Sequence, residues 1–192
     1  MKAIELIKSL ERFNKPFYSI ADLEKVTGLS KDSLYVTIKR LVDRGILERI
    51  GKGIYRLFTA KPSIEKIAAS LYIPNYLSFE SALLRYGILN LVPYSLTFAT
   101  TRKTKRLTVE GRDIEFRQIK KELFWGFEMQ DGIYVAKPEK AFLDLVYLAS
   151  RGIASLDLDE IDTKKLSMTT VKEFSKRFPI YAQKYLDKII SS

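Results

Sequence analysis

The sequence predicts an α+β chain of two domains, and three observations carry that reading. Apolar residues recur at helical spacing through residues 2–44. Turn-bounded strand segments follow at 46–58 and again at 94–136, and prolines at 62 and 74 punctuate the stretch between the two blocks. A length of 192 residues suits two small domains that each bury a modest core. The division is placed at 60/61, giving domains 1–60 and 61–192.

The elements follow in order. Ala3, Ile4, Leu6, Ile7, Leu10 and Phe13 form the stripe of an amphipathic helix over 2–13, ended by Asn14-Lys15-Pro16. Ser19 caps a short second helix, with Asp22 at its third position as an approximate capping box and Ile20, Leu23 and Val26 as its apolar face. Gly28 supplies the left-handed residue that ends it, and Ser30 caps a third helix running to about Arg44. Two helices about Thr27-Gly28-Leu29 make a helix-turn-helix. Ile46–Ile50 and Ile54–Phe58 are strand-like and flank the tight basic turn Gly51-Lys52-Gly53. Three helices and a basic hairpin predict a winged helix-turn-helix over residues 1–58.

Read at 100° per residue, the third helix has two faces. Leu34, Ile38 and Leu41 share one narrow arc, the core seam. Asp32, Ser33, Val36, Lys39, Arg40 and Asp43 lie opposite, with Tyr35 on a flank, and this is the face a recognition helix turns to the major groove. Val36 suits contact with a thymine methyl, or is one of the isolated exposed valines common on surfaces. Lys39 and Arg40 suit guanine or phosphate equally. Lys52, between two glycines, gives a backbone thin enough to approach a phosphate or the minor groove, with Arg49 and Arg56 on the strands behind it. The candidate DNA-binding residues are therefore Ser30, Lys31, Ser33, Tyr35, Val36, Lys39, Arg40, Arg49, Lys52 and Arg56. A net charge of +10 favours an anionic partner, and the excess is densest at the amino end.

Composition narrows the chemistry. The chain has neither cysteine nor histidine, which removes disulfides, thiolate nucleophiles, histidine-based catalysis and the usual zinc ligands. No apolar run approaches 18 residues, and Met1-Lys2-Ala3-Ile4-Glu5 leads into an amphipathic pattern rather than a signal core. A cytoplasmic, non-enzymatic protein without cofactor, metal or membrane partner is expected. Asp157, Asp159, Glu160 and Asp162 invite a metal reading, but the segment lacks the glycine of a calcium loop, and helix-entry charge suits it better.

The carboxyl domain is predicted as helices around a small antiparallel β meander. A helix over Ser63–Tyr72 can belong to either domain. A second, capped by Ser78, carries Ser81, Ala82, Leu83 and Leu84. Strands follow at Tyr94–Thr101, Arg106–Glu110 and Asp113–Ile119, then a hairpin, Phe127–Met129 with Ile133–Ala136 about Gln130-Asp131-Gly132. Pro138 opens a helix over Glu139–Ser150, and two tail helices fall near 169–177 and 180–190. Ser78, Ser81 and Tyr86 suit a polar site, or capping and close helix packing. Lys137, Glu139, Lys140 and Asp144 suit a catalytic or phosphate site, or helix capping and salt bridges. Arg102, Lys103, Lys105 and Arg106 form a second basic patch or a solvated loop. Phe124-Trp125-Gly126-Phe127 is an aromatic cluster for a core or an interface.

Three segments carry a resemblance. Tyr76-Leu77-Ser78-Phe79-Glu80-Ser81-Ala82-Leu83-Leu84-Arg85-Tyr86-Gly87-Ile88, a strand ending in Thr100-Thr101-Arg102, and Ile133-Tyr134-Val135-Ala136-Lys137-Pro138-Glu139-Lys140-Ala141-Phe142-Leu143-Asp144-Leu145 follow the predicted winged helix in that order. This arrangement resembles the AbiEi family, antitoxins of the type IV toxin-antitoxin class also known as transcriptional regulators of viral defence systems. The resemblance implies an amino domain that binds double-stranded DNA at its own promoter and represses its operon; many such regulators bind inverted repeats as a homodimer or as two monomers. It also implies a carboxyl domain that counteracts a nucleotidyltransferase-like toxin acting on RNA. A stand-alone repressor is the alternative. An RNA-directed enzyme is the further rival, but nucleotidyl transfer needs a Gly-Ser loop followed by paired aspartates, and Leu156-Asp157-Leu158-Asp159 has the pair without the loop. Lys39, Arg40 and Lys52 speak against a pure protein-interaction module.

Overall fold

The computed structural model describes residues 3–13 and 15–191. Met1, Lys2, Asn14 and Ser192 lie outside them, and with them the Lys2 start of the first helix and the Asn14 part of its stop. The chain divides into two compact units, Met1–Ser70 with the turn Thr108–Gly111, and Leu71–Leu107 with Arg112–Ser192. Both are α+β.

In the first unit, α1 (Ala3–Phe13) buries Leu6 and Leu10. Ile4 and Phe13, expected on the same stripe, are exposed instead. Ile4 is two residues from Leu6 and so lies about 200° round the helix, while Phe13 is the last helical residue, where the buried face runs out. Tyr18 then enters the core and its hydroxyl donates to the Leu10 carbonyl. With Ser19 it forms a two-residue strand, β1, that the sequence pattern does not reveal.

α2 (Ile20–Thr27) begins with a reciprocal capping box. The Asp22 amide donates to Ser19 Oγ at 3.1 Å and the Ser19 amide to Asp22 Oδ2 at 2.9 Å. Gly28, at φ +67°, turns the chain into α3 (Lys31–Asp43). Ser30 occupies the N-cap of α3, but its side chain meets Ser33 Oγ rather than capping an amide. Strands β2 (Leu47–Gly51) and β3 (Ile54–Leu57) pair antiparallel, Leu47 opposite Leu57, with a bulge between Arg49 and Gly51. β1 adds to the other edge of β3, giving the order β1-β3-β2. Leu6, Leu10, Tyr18, Leu23, Leu34, Ile38, Leu41, Leu47, Tyr55 and Leu57 make one core. Truncating one of its leucines to alanine costs about 2–5 kcal/mol. The helix α4 (Ile64–Leu71), whose side the sequence left open, groups with this unit through Ser70 and buries Ile67 and Ala68.

The second unit is built on a six-stranded sheet. Its strands are β4 (Asn75–Leu77), β5 (Ser95–Thr100), β6 (Lys105–Val109), β7 (Arg112–Gln118), β8 (Phe127–Gln130) and β9 (Ile133–Ala136), in the order β6-β7-β5-β4-β9-β8. The expected antiparallel meander is therefore corrected to a mixed sheet, since β5 runs parallel to β7 and β4 parallel to β9. The cause is local. Residues 75–77 read as the approach to a helix because three residues cannot display an alternation, yet they form a central strand buried throughout. Meanwhile β6 pairs with the outer edge of β7, which leaves β7 to lie directly beside β5. A strand covered on both faces is buried along its length, and Leu96-Thr97-Phe98-Ala99 is apolar except for Thr97, whose hydroxyl accepts the Ser81 amide and donates to the Ser78 carbonyl.

Helix α5 (Phe79–Arg85) follows β4 at once, and Phe79 takes φ +55°, rare for a bulky residue. Ser78 stands at its N-cap without a side-chain capping bond, and its hydroxyl is used elsewhere. Helix α6 (Pro138–Ala149) carries proline at its first turn and is buried from Lys140 to Ala149. Helices α7 (Met168–Ser175) and α8 (Ile180–Ile190) complete the unit. The acidic segment before them forms a short 3-10 turn, Leu158–Glu160, with Asp157 Oδ1 accepting the Asp159 amide at 3.0 Å. Among the described residues no helix is long and apolar enough to cross a membrane.

Candidate nucleic-acid interface

α3 separates its residues as its periodicity requires. Leu34, Ile38 and Leu41 are buried, while Lys31, Asp32, Ser33, Tyr35, Val36, Lys39 and Arg40 are exposed. Val36 is 51% and Tyr35 55% exposed, so two apolar side chains stand in water among cations without a packing role. Thr37 Oγ1 folds back and donates to the Ser33 carbonyl at 2.8 Å, which spends its proton within the helix. Arg44, at the C-cap of α3, is a further exposed cation that the candidate residues do not include. The chain then reverses through Gly45 at φ +68°, and the Ile46 amide closes on the Leu41 carbonyl at 2.9 Å, fixing where β2 starts.

Lys52 is exposed in the turn between β2 and β3. Gly53 there adopts φ +70°, a conformation that a side chain at this position would strain. Arg49 is exposed at the bulge, and its Nε donates to the Gly51 carbonyl at 3.4 Å.

Arg56 is differently placed. Its side chain is only 14% exposed, Nη2 lies 2.8 Å from Glu48 and Nη1 2.7 Å from Glu110. A guanidinium with a carboxylate on each side has little positive charge to offer a phosphate. Glu48 was readable as its cross-strand neighbour, since the two pair in register. Glu110, 54 positions further on, was not.

The second basic patch divides. The Arg102 guanidinium stacks 4.1 Å from the centre of the Tyr72 ring and Lys105 Nζ lies 4.9 Å from it, while the Tyr72 hydroxyl donates to the Lys103 carbonyl. Arg106 instead forks onto Glu115 through Nε at 2.9 Å and Nη2 at 2.7 Å.

Three residues weighed in the sequence as chemistry or helix support, Ser78, Lys140 and Asp144, form one enclosed network with Tyr76, which was not. Lys140, Asp144, Tyr76 and Ser78 are all fully buried. Lys140 Nζ bonds Asp144 Oδ1 and donates to the Tyr76 hydroxyl at 2.8 Å, while Tyr76 and Ser78 both donate to Asp144 Oδ2 at 2.8 Å. The Tyr76, Trp125 and Phe178 rings each lie 5.3 Å from the ammonium. Burial lowers the Lys140 pKa and raises that of Asp144, each offset in part by the other's charge, and burial together with Asp144 raises Tyr76 well above its ordinary value. Gly126 is needed beside it, because a Cβ there would stand 3.0 Å from Lys140 Cγ. All four side chains are closed off from solvent and bonded to one another. Three other candidates are likewise engaged within the fold, while Lys137 is exposed. Tyr86 donates to the Ala136 carbonyl at 3.0 Å, Ser81 exchanges bonds with Thr97, and Glu139 accepts the Ser167 amide at 3.1 Å.

Residues 5–57 match a family model described as transcriptional regulator, AbiEi antitoxin. The AbiEi match begins in α1, ends on the last residue of β3, and so takes in the exposed face of α3 and the Lys52 turn. It agrees with the family resemblance read from the sequence. No curated protein matches the chain.

Proposed function

We propose that the chain is a sequence-specific, double-stranded-DNA-binding transcriptional regulator of the AbiEi antitoxin type, with a winged helix-turn-helix as its amino-terminal reader. It represses its own operon, binding inverted repeats as a homodimer, and its carboxyl-terminal unit counteracts a nucleotidyltransferase-like toxin. The observation that carries the reading is the exposed face of α3. Val36 and Tyr35 stand free among Lys31, Lys39 and Arg40 while the opposite face is packed, and a family of regulators matches that same segment. In this reading α3 enters the major groove and Lys52 meets the backbone.

The test is salt-dependent binding to the chain's own promoter, followed by fluorescence anisotropy. Each phosphate contact contributes about 0.9 to the log-log salt slope. Lys52→Ala is expected to flatten the slope by about 0.9, whereas Arg56→Ala leaves it in place, because Arg56 is already occupied by Glu48 and Glu110. Affinity that does not change between low and high salt would refute groove docking. A stand-alone repressor is the second reading, favoured by the confinement of the family match to residues 5–57. Survival of cells co-expressing the chain with the product of an adjacent reading frame separates the two.

A further inference from the structure

The second unit holds a half-open cleft of about 630 Å³ that the regulator reading leaves unused. Arg106, Arg117, Lys120 and Arg151 line it, against two carboxylates, Glu80 and Glu115. The cleft therefore carries an excess of two positive charges.

The carboxylates organise the cations from behind. Arg117 donates to both oxygens of Glu80 at 2.7 and 2.8 Å and to Glu115 at 2.9 Å, so it is spent as a girder. Burial alone would raise the Glu115 carboxyl, but Arg106 and Arg117 outweigh it and hold it below the usual carboxylate range, so it stays ionised. Arg106 is oriented by Glu115 through Nε and Nη2, yet its side chain remains 81% exposed. A guanidinium has five N–H donors, so a held edge leaves the other edge outward and pre-aimed. Arg151 touches Tyr147 Oη at 3.1 Å, and neither it nor Lys120 has a carboxylate partner among the described residues. Leu148, Ile153 and Ala154 supply an apolar wall, and the volume falls within the range of about 300–1,000 Å³ usual for small-molecule sites.

We propose that this cleft binds a nucleotide-sized phosphorylated molecule, its phosphates on the outer edge of Arg106 with Lys120 and Arg151, and its base or sugar against Ile153 and Ala154. Planar forks held in place by carboxylates suit phosphate oxygens, and a net charge of two matches a di- or triphosphate better than a neutral ligand. The site is independent of α3 and the Lys52 turn.

Isothermal titration calorimetry of the full chain at fixed ionic strength tests it, with ATP, adenosine and inorganic pyrophosphate as separate probes. ATP is expected to bind saturably at one per chain and adenosine not to bind. Lys120→Glu and Arg151→Ala, both at exposed positions, are each expected to weaken ATP at least tenfold, while Lys52→Ala leaves it unchanged. Far-UV circular dichroism and the urea midpoint verify that each variant is folded; if one is not, Arg106→Lys, which keeps the charge and loses the fork, takes its place. Pyrophosphate binding as tightly as ATP would overturn the nucleotide assignment. Absence of binding by ATP, affinity unmoved by the cleft substitutions, or loss of binding in Lys52→Ala would overturn the site.

Discussion

Replacing Asp144 by asparagine removes a charge and almost no volume. The substitution strands the Lys140 ammonium among the Tyr76, Trp125 and Phe178 rings, with only Tyr76 and an amide to solvate it. Breaking a fully buried pair by removing one partner costs about 3–5 kcal/mol. At about 4 °C per kcal/mol for a domain of this order, the midpoint of thermal unfolding should fall by roughly 12–20 °C. Trp125 is the chain's one tryptophan and lies beside Lys140, so its fluorescence during urea unfolding reports on this unit directly. Lys140→Met should cost a comparable amount, and the double variant Lys140→Met/Asp144→Asn less than the two together, since no lone charge remains. The two single variants should also differ in pH dependence. Burial raises the pKa of Asp144, so once its partner is gone the folded form takes up a proton more readily than the unfolded chain, and Lys140→Met gains stability as pH falls from 7 toward 5. Burial lowers the pKa of Lys140, so Asp144→Asn gains stability as pH rises through the range where folded Lys140 is neutral and unfolded lysine is still charged. Single variants that are each destabilised by less than about 1 kcal/mol, or a double variant whose destabilisation equals their sum, would refute the coupled network.

Three further outcomes are expected. Val36→Ala and Arg40→Ala should alter the preferred operator, by about 1–3 kcal/mol wherever the wild-type side chain reads a base edge well, whereas Lys52→Ala weakens binding evenly across sequences; competition with random DNA distinguishes them. Glu115→Gln should flatten the acid limb of stability. Arg106 and Arg117 hold this carboxyl below its unfolded value despite burial, so its contribution is present above the unfolded carboxylate range and lost as pH falls through the folded pKa, which urea midpoints between pH 6 and pH 3 would follow. Ser19→Ala should cost about 1 kcal/mol by denaturant titration, through removal of the side-chain half of the α2 capping box.

Legibility in the sequence tracked how local each determinant is. The α2 cap, the turn at Gly28 and the split faces of α3 are settled within a few residues, so the pattern alone located them. Arg56 could be placed on its strand but not assigned a state, because one of its two carboxylates arrives from a turn far along the chain. β4 was missed for a similar reason. Three residues cannot advertise a strand, and what makes Asn75–Leu77 one is the presence of β5 and β9 on either side. Lys140 and Asp144 were readable as an i,i+4 pair, but their burial depends on Tyr76, Ser78 and Trp125 from other elements. The cleft cations Arg117, Lys120 and Arg151 stood out in no motif. They converge only after β7 and the end of α6 have packed.

The central position of β4 also sets an order of events along the growing chain. Leu77 waits for Val135, and Ser78 for Asp144 66 positions later, whereas Tyr18 finds Tyr55 and Leu47 finds Leu57 over shorter intervals. Closing long intervals is slow, because the loop entropy is spent before any pairing rewards it. The α1–β3 core can therefore condense while α6 is still being synthesised, and the exposed face of α3 is expected to mature well before the six-stranded sheet has its middle strand paired on both sides. A ribosome-stalled chain ending near residue 100 is thus expected to protect the amides of α3 from hydrogen exchange while leaving those of residues 75–77 open.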